Sequence, residues 1–156
     1  MSADFVIAPD DLTATDVLAL LARHQEELRR CSPDDACHVM GPERLREPDV
    51  TFFVARHEGE LAAFGALKPL DARTGELKSM RAAEGWRGKG AGSAILTHLI
   101  GEARARGYRE VGLETGRHAT FADAQALYKR AGFIACESFG TYRSGEFTLC
   151  MTLALG

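Results

Sequence analysis

Three glycines at alternate positions, Gly88, Gly90 and Gly92, are interleaved with Arg87 and Lys89 just where an apolar helical pattern begins. The first amides of a helix have no intrahelical acceptor, and glycine lets such amides approach a ligand with no Cβ in the way. The helix dipole and the two side-chain cations add to the same positive pole. These residue types at this spacing predict an anion site between Trp86 and Ser93, with a phosphate or pyrophosphate as its guest.

Spacing separates the loops that share this chemistry. A nucleoside-triphosphate loop needs Gly-x-x-x-x-Gly-Lys-Ser/Thr. Here Ala83 stands where its first glycine belongs, and Gly90 where its metal-binding hydroxyl belongs. A dinucleotide fingerprint would need its third glycine at Ser93, and it follows a strand buried on both faces. The segment before this loop carries Glu76, Lys78, Ser79 and Arg81, too polar for that setting. An NAD(P)-binding oxidoreductase is therefore the second reading.

Other reactive residues are dispersed. Cys31, Cys37, Cys136 and Cys150 show no Cys-x-x-Cys spacing, and His24, His38, His57, His98 and His118 offer no pair at helical spacing, so no metal is expected. Cys136 has no histidine that the sequence sets beside it as a base. Arg143, next to Tyr142, could grip a substrate carboxylate. Arg81 could pair with a carboxylate of the sheet or turn towards the anion site.

The elements that position these residues follow from periodicity. Phe5 to Ala8 reads as a short strand. A helix capped by Thr13 or Thr15 runs to Arg30, with Val17, Leu18, Leu20, Leu21 and Leu28 on one side and Arg23, Glu26, Glu27, Arg29 and Arg30 towards water. The segment from Cys31 to Pro48 is irregular, with one helical turn around Glu43 to Arg46. Strands over 49–56 and 60–67, turning at Glu58-Gly59, and a third over 76–83 make an antiparallel meander. A parallel nucleotide-binding sheet would alternate strands and helices from the start. The helix after the glycine loop runs over 91–106, ended by Gly107, and the strand over 110–114 can lie parallel to the one before the loop. A helix over 120–131 and strands over 133–137 and 147–153, joined by a loop, complete the pattern.

Arg87, Gly90 and Gly92 fill the signature Arg/Gln-x-x-Gly-x-Gly/Ala, and Ala124-Gln-Ala-Leu-Tyr128-Lys-Arg-Ala-Gly132-Phe133 matches Ala-x-x-Leu-Tyr-x-x-x-Gly-Phe. On these motifs the chain resembles the GNAT superfamily of N-acetyltransferases. The runs over 65–68, 78–81 and 113–116 are similar to those of a bacterial subgroup of small-molecule acetyltransferases. The resemblance implies an α/β (α+β) fold with a mixed, mostly antiparallel sheet of about six or seven strands and about four flanking helices. That sheet would be splayed between the strands at 76–83 and 109–114.

The same resemblance implies acetyl-CoA as cosubstrate, with its diphosphate on Arg87, Gly88, Lys89, Gly90, Ala91, Gly92 and Ser93. Its pantetheine arm would lie in the splay, against Met80, Arg81 and Ala82, whose strand amides would also be the oxyanion donors. Tyr128 would give the departing thiolate its proton. Glu76, at the distance from Arg87 where histone acetyltransferases of the family carry their base, would assist the attacking amine, with Glu114 in reserve. His38, Tyr142 and Arg143 would adjoin the acceptor. One position departs from the pattern: Phe121 stands where the family commonly has an asparagine that serves the pantetheine arm. A CoA-binding module without catalysis is the reading this departure supports.

Composition bounds the rest. At 156 residues the chain reads as one domain, 1–156, and its 46% apolar and 26% charged residues are ordinary for a soluble protein. A formal charge of -3 argues against nucleic acid or an anionic membrane as general partner. No apolar run approaches the ~18 residues needed to span a bilayer, and Met1 to Phe5 does not read as a signal peptide, so a cytoplasmic enzyme is expected. Its acceptor would be an amine of a small molecule or peptide, attacking directly in a ternary complex, and a homodimer is common in such a family.

Overall fold

The structure, a computed structural model, describes residues 4–31 and 41–156. Near-continuous apolar runs at Phe52–Ala55 and Leu61–Leu67 can be covered on both faces, and they form two interior strands of a seven-stranded sheet. Its strands are β1 (Val6–Pro9), β2 (Thr51–His57), β3 (Glu60–Pro69), β4 (Thr74–Ala82), β5 (Glu110–Gly116), β6 (Ile134–Cys136) and β9 (Thr148–Ala154), in the order β1-β2-β3-β4-β5-β9-β6. A separate hairpin pairs β7 (Ser138–Phe139) with β8 (Tyr142–Arg143). The helices among the described residues are α1 (Thr15–Cys31), α2 (Pro42–Leu45), α3 (Ala91–Ala105) and α4 (Ala122–Ala131).

Only β4 and β5 pair in parallel, and α3 is the crossover that this direction requires. The sheet separates two cores. On one face Val17, Leu20 and Leu21 of α1 and Leu45 of α2 cover Phe52, Val54, Phe64 and Ala66. On the other, Ile95, Leu96, Leu99 and Ala103 of α3, with Tyr128 of α4, cover Phe53, Leu67, Leu77, Val111 and Leu113. No helix among the described residues is long and apolar enough to cross a membrane.

Two irregularities shape the centre. The β4–β5 pairing consists of Thr74 with Glu110, Gly75 with Val111 and Glu76 with Gly112, after which both strands continue unpaired with each other. This is the expected splay. Between β3 and β4 the register slips: Ala66 faces Lys78, yet Phe64 faces Arg81, so Ser79 and Met80 together oppose Gly65. Ser79 has φ 55, a β-bulge with a non-glycine residue in the left-handed region. Its consequence is that Lys78 and Arg81, three apart, share the face towards α1, while Met80 and Ala82 pack against the α3 core.

Some boundaries differ from expectation. The helical turn after residue 41 is Pro42–Leu45, opened by proline at its start. The loop expected between 138 and 146 contains the β7–β8 hairpin, whose two-residue strands are too short to leave a periodic signal. Glu27, expected in water, is half-buried because Arg81 draws it towards the sheet.

Candidate active site

Gly88 and Gly90 take φ 75 and φ 88, and a Cβ built on either meets nothing within 4 Å, so space is open above both. Gly90 is the cap of α3, with no side-chain cap bond and no acidic residue in the first turn. Among the described residues the amides of Gly88, Gly90, Ala91, Gly92 and Ser93 have no acceptor, whereas Lys89 donates to Trp86 and Ala94 to Gly90. The amides therefore form a run of free donors at the positive end of a helix, suited to a multiply charged oxyanion. Lys89 lies over the Trp86 ring, its Nζ 5.6 Å from the centroid. Arg87 is exposed and 3.9 Å from Glu27, a loose contact that leaves it available to a ligand.

Arg81 takes the first of its two expected options, with a helix carboxylate in place of one from the sheet. Its Nη2 lies 2.8 Å from Glu27 Oε2, its side chain is 9% exposed, and its Nε is buried without a partner. The Arg81 hydrogen bond holds Glu27 below the usual carboxylate range. Beside it His24 is buried with its Nδ1 unpartnered, and burial, reinforced by the Arg81 charge, pushes its pKa down to about 4.

Glu76 is buried, 4% exposed. Lys78 Nζ lies 3.0 Å from Glu76 Oε2 and donates to the Tyr142 hydroxyl at 2.7 Å. Burial pulls Lys78 down, but the Glu76 charge and the Tyr142 hydroxyl overcome it, so the pKa ends above that of an ordinary lysine. Burial raises Tyr142, and Lys78 offsets only part of that rise. The structure thus joins two expected residues, Glu76 and Tyr142, through a third that sequence reasoning passed over. Arg143 points to solvent, and Glu114, half-buried on β5, faces Cys150 of β9. His38 lies outside the described residues.

On the opposite face Tyr128 is buried next to Phe133, their centroids 5.8 Å apart, and burial raises its pKa. Gly132, at φ 104, ends α4 so that Phe133 N donates to Tyr128 O, a cap that fixes the turn carrying the tyrosine. Phe121 packs on Gly116 at the end of β5, and Gln125 Nε2 donates to Gly116 O at 2.7 Å. Gln125, one helical turn after Phe121, is the amide that ties α4 to the open end of β5. That spacing was the only sequence signal for it. No three His, Cys, Asp or Glu side chains gather among the described residues as a metal site.

Known proteins share the sequence and the fold. The family model described as Acetyltransferase (GNAT) family matches residues 17–133. The chain is 42% identical to the uncharacterized N-acetyltransferase YsnE of Bacillus subtilis (strain 168), over 94% of this chain and 97% of that protein. A structure from Klebsiella pneumoniae, assigned to the acyl-CoA N-acyltransferases, superposes with a TM-score of 0.77 at 25% identity, covering 97% of this chain and 98% of that one. A GNAT acetyltransferase from Elizabethkingia anophelis, solved with acetyl-CoA bound, shares the fold at a TM-score of 0.68 and 18% identity, with 96% and 97% covered.

Proposed function

Because the chain belongs to the GNAT family of acetyltransferases, we propose that it moves an acetyl group from acetyl-CoA to the amine of a small molecule or peptide, by direct attack in a ternary complex. The observation that carries this reading is the set of unsatisfied amides of Gly88 and of Gly90 to Ser93, opening beside a sheet that splays after Glu76 and Gly112. Acetyl-CoA supplies the acyl group already activated as a thioester. Residues 87–93 would bind its diphosphate through main-chain donors, with Arg87 and Lys89 as counter-charges.

The bulge at Ser79 interrupts the β3–β4 ladder. In this reading it frees strand amides around Met80 to Ala82 for the carbonyl oxygen as negative charge develops there. Tyr128 would stand at the sulfur. Burial keeps its hydroxyl protonated, so it is a hydrogen-bond donor to the departing thiolate and never a base, and it would pass on its proton only as charge develops on the sulfur. The amine would approach from the α1 face, where Glu76 is the base and the Tyr142 hydroxyl lies beside it; Glu114 is the reserve on the same face.

The test has two parts. Calorimetry with acetyl-CoA should show binding, accompanied by a change in the emission of Trp86, the chain's single tryptophan. CoA release against an amine panel should find an acceptor. Tyr128→Phe should then lower kcat and leave acetyl-CoA binding near wild type; equal turnover across pH would remove its role. Glu76→Gln and Glu114→Gln, compared on the acidic limb of the pH profile, distinguish the two carboxylates.

A further inference from the structure

We propose that Phe139 is the floor of the acyl site and restricts the protein to short acyl groups; this rests on the reading that the splay receives the pantetheine arm. On the α3 and α4 side of the sheet Ile95, Leu96, Leu113 and Tyr128 belong to one buried apolar cluster. An acyl group turned away from that packed core has the α1 face to enter. There it meets the last bridged pair of the splay, Glu76 and Gly112.

Neither member of the pair leaves room. Gly112 has no side chain, and a Cβ built on it would stand 2.3 Å from Phe139 Cε1, so the ring occupies the place a β5 side chain would take. Phe139 is buried, and Glu76 is locked in its ion pair with Lys78. An alkyl chain longer than acetyl would press on a phenyl ring or on a buried charge pair.

The ring is also held from behind. Its partner across the β7–β8 hairpin is Tyr142, which receives the Lys78 hydrogen bond. Leu70 lies against Gly140 in the hairpin turn, 3.3 Å from where a Cβ would be. After the hairpin, Ser144 Oγ donates to Cys136 O at 2.7 Å and accepts from Cys150 N at 2.9 Å, stitching the segment into the β6–β9 ladder. With the hairpin fixed at its turn, its middle and its exit, Phe139 acts as a wall and not as a swinging gate.

The experiment measures binding and needs no acceptor. Calorimetry and thermal shift compare CoA with its acetyl, propionyl, butyryl and hexanoyl esters on wild type, Phe139→Leu and Phe139→Ala. In wild type the dissociation constant should rise by about tenfold or more from acetyl to hexanoyl. In Phe139→Ala the two esters should fall within about threefold of each other, with Phe139→Leu between. Should the alanine variant not fold, the leucine variant, closer in volume, carries the comparison. Wild type holding hexanoyl-CoA as tightly as acetyl-CoA, or both variants keeping the wild-type ladder, would overturn the floor. If neither CoA nor acetyl-CoA raises the wild-type melting temperature, the cofactor reading itself fails and the floor goes with it.

Discussion

At the top of β4 the loop is exposed from Arg87 to Gly90, with the amides of Gly88 and of Gly90 to Ser93 unused and its cations loosely engaged. On the α1 face of the same strand, Glu76, Lys78 and Tyr142 already satisfy one another, and Arg81 is tied to Glu27. A site built from main-chain donors at the surface can wait for its ligand in water. One built from buried charges cannot, because an unpaired charge away from water is costly. The loop is thus an offer of free donors, whereas the face that carries Glu76 is a closed set of charges, which in the proposed reading an acceptor must enter without breaking.

The largest effect expected from this contrast is on stability. Lys78→Met would leave the Glu76 carboxylate buried without its counter-charge, with only the Tyr142 hydroxyl beside it, and losing one partner of a buried pair costs about 3–5 kcal/mol. Urea unfolding should show that loss, and a second change, Glu76→Gln, should recover much of it. Acetyl-CoA affinity of the folded fraction should stay within about threefold of wild type, since the loop does not depend on the pair. A small stability loss, or a large loss of cofactor affinity, would erase the distinction between the two regions.

Next comes acid. Unfolded chain takes up a proton at His24 near the ordinary 6.5, while the folded protein resists it down to about 4. Stability from this group is therefore complete above pH 6.5 and drains away as pH falls towards 4, by on the order of 3 kcal/mol. In His24→Leu the unfolding free energy should change less over that window by about the same amount. Identical pH slopes for both proteins would show that the histidine is not held neutral.

What could be read in advance divides along the same line. The anion loop and the motif ending in Gly132-Phe133 are contiguous residues whose chemistry lies in their own spacing, and the strands and helices that carry them follow from apolar periodicity. The partnership of Lys78 with Tyr142 joins positions 64 apart, through a hairpin whose strands are two residues each. No local pattern announces it. The bulge at Ser79 was equally hidden, because a serine at φ 55 carries none of the signal a glycine there would have given. Glu27 read as a solvated charge, and Arg81 as a partner for a sheet carboxylate or for the anion site, whereas beyond the bulge Arg81 faces α1.

A smaller effect sharpens the view of the loop as a main-chain device. Gly90→Ala puts a Cβ into open space but asks an L residue to hold φ 88, a strain of roughly 1–2 kcal/mol. Acetyl-CoA affinity should fall by about tenfold as the loop relaxes. Gly85→Ala, where space is equally open and no positive φ is required, is the control and should bind as wild type does.

The smallest effect asks whether an ion pair has one value throughout the molecule. Arg23 pairs with Glu84 at the foot of the loop, but the two side chains are 57% and 60% exposed, so water screens them and holding them together costs side-chain freedom. Arg23→Ala should therefore shift the unfolding free energy by only about 0–1 kcal/mol, and less in high salt. Set against Lys78→Met, the same pairing of carboxylate with cation would then differ severalfold in worth between the middle of β4 and the turn that follows it. Equal losses from the two substitutions would mean that burial is not what separates the Glu76 cluster from the loop.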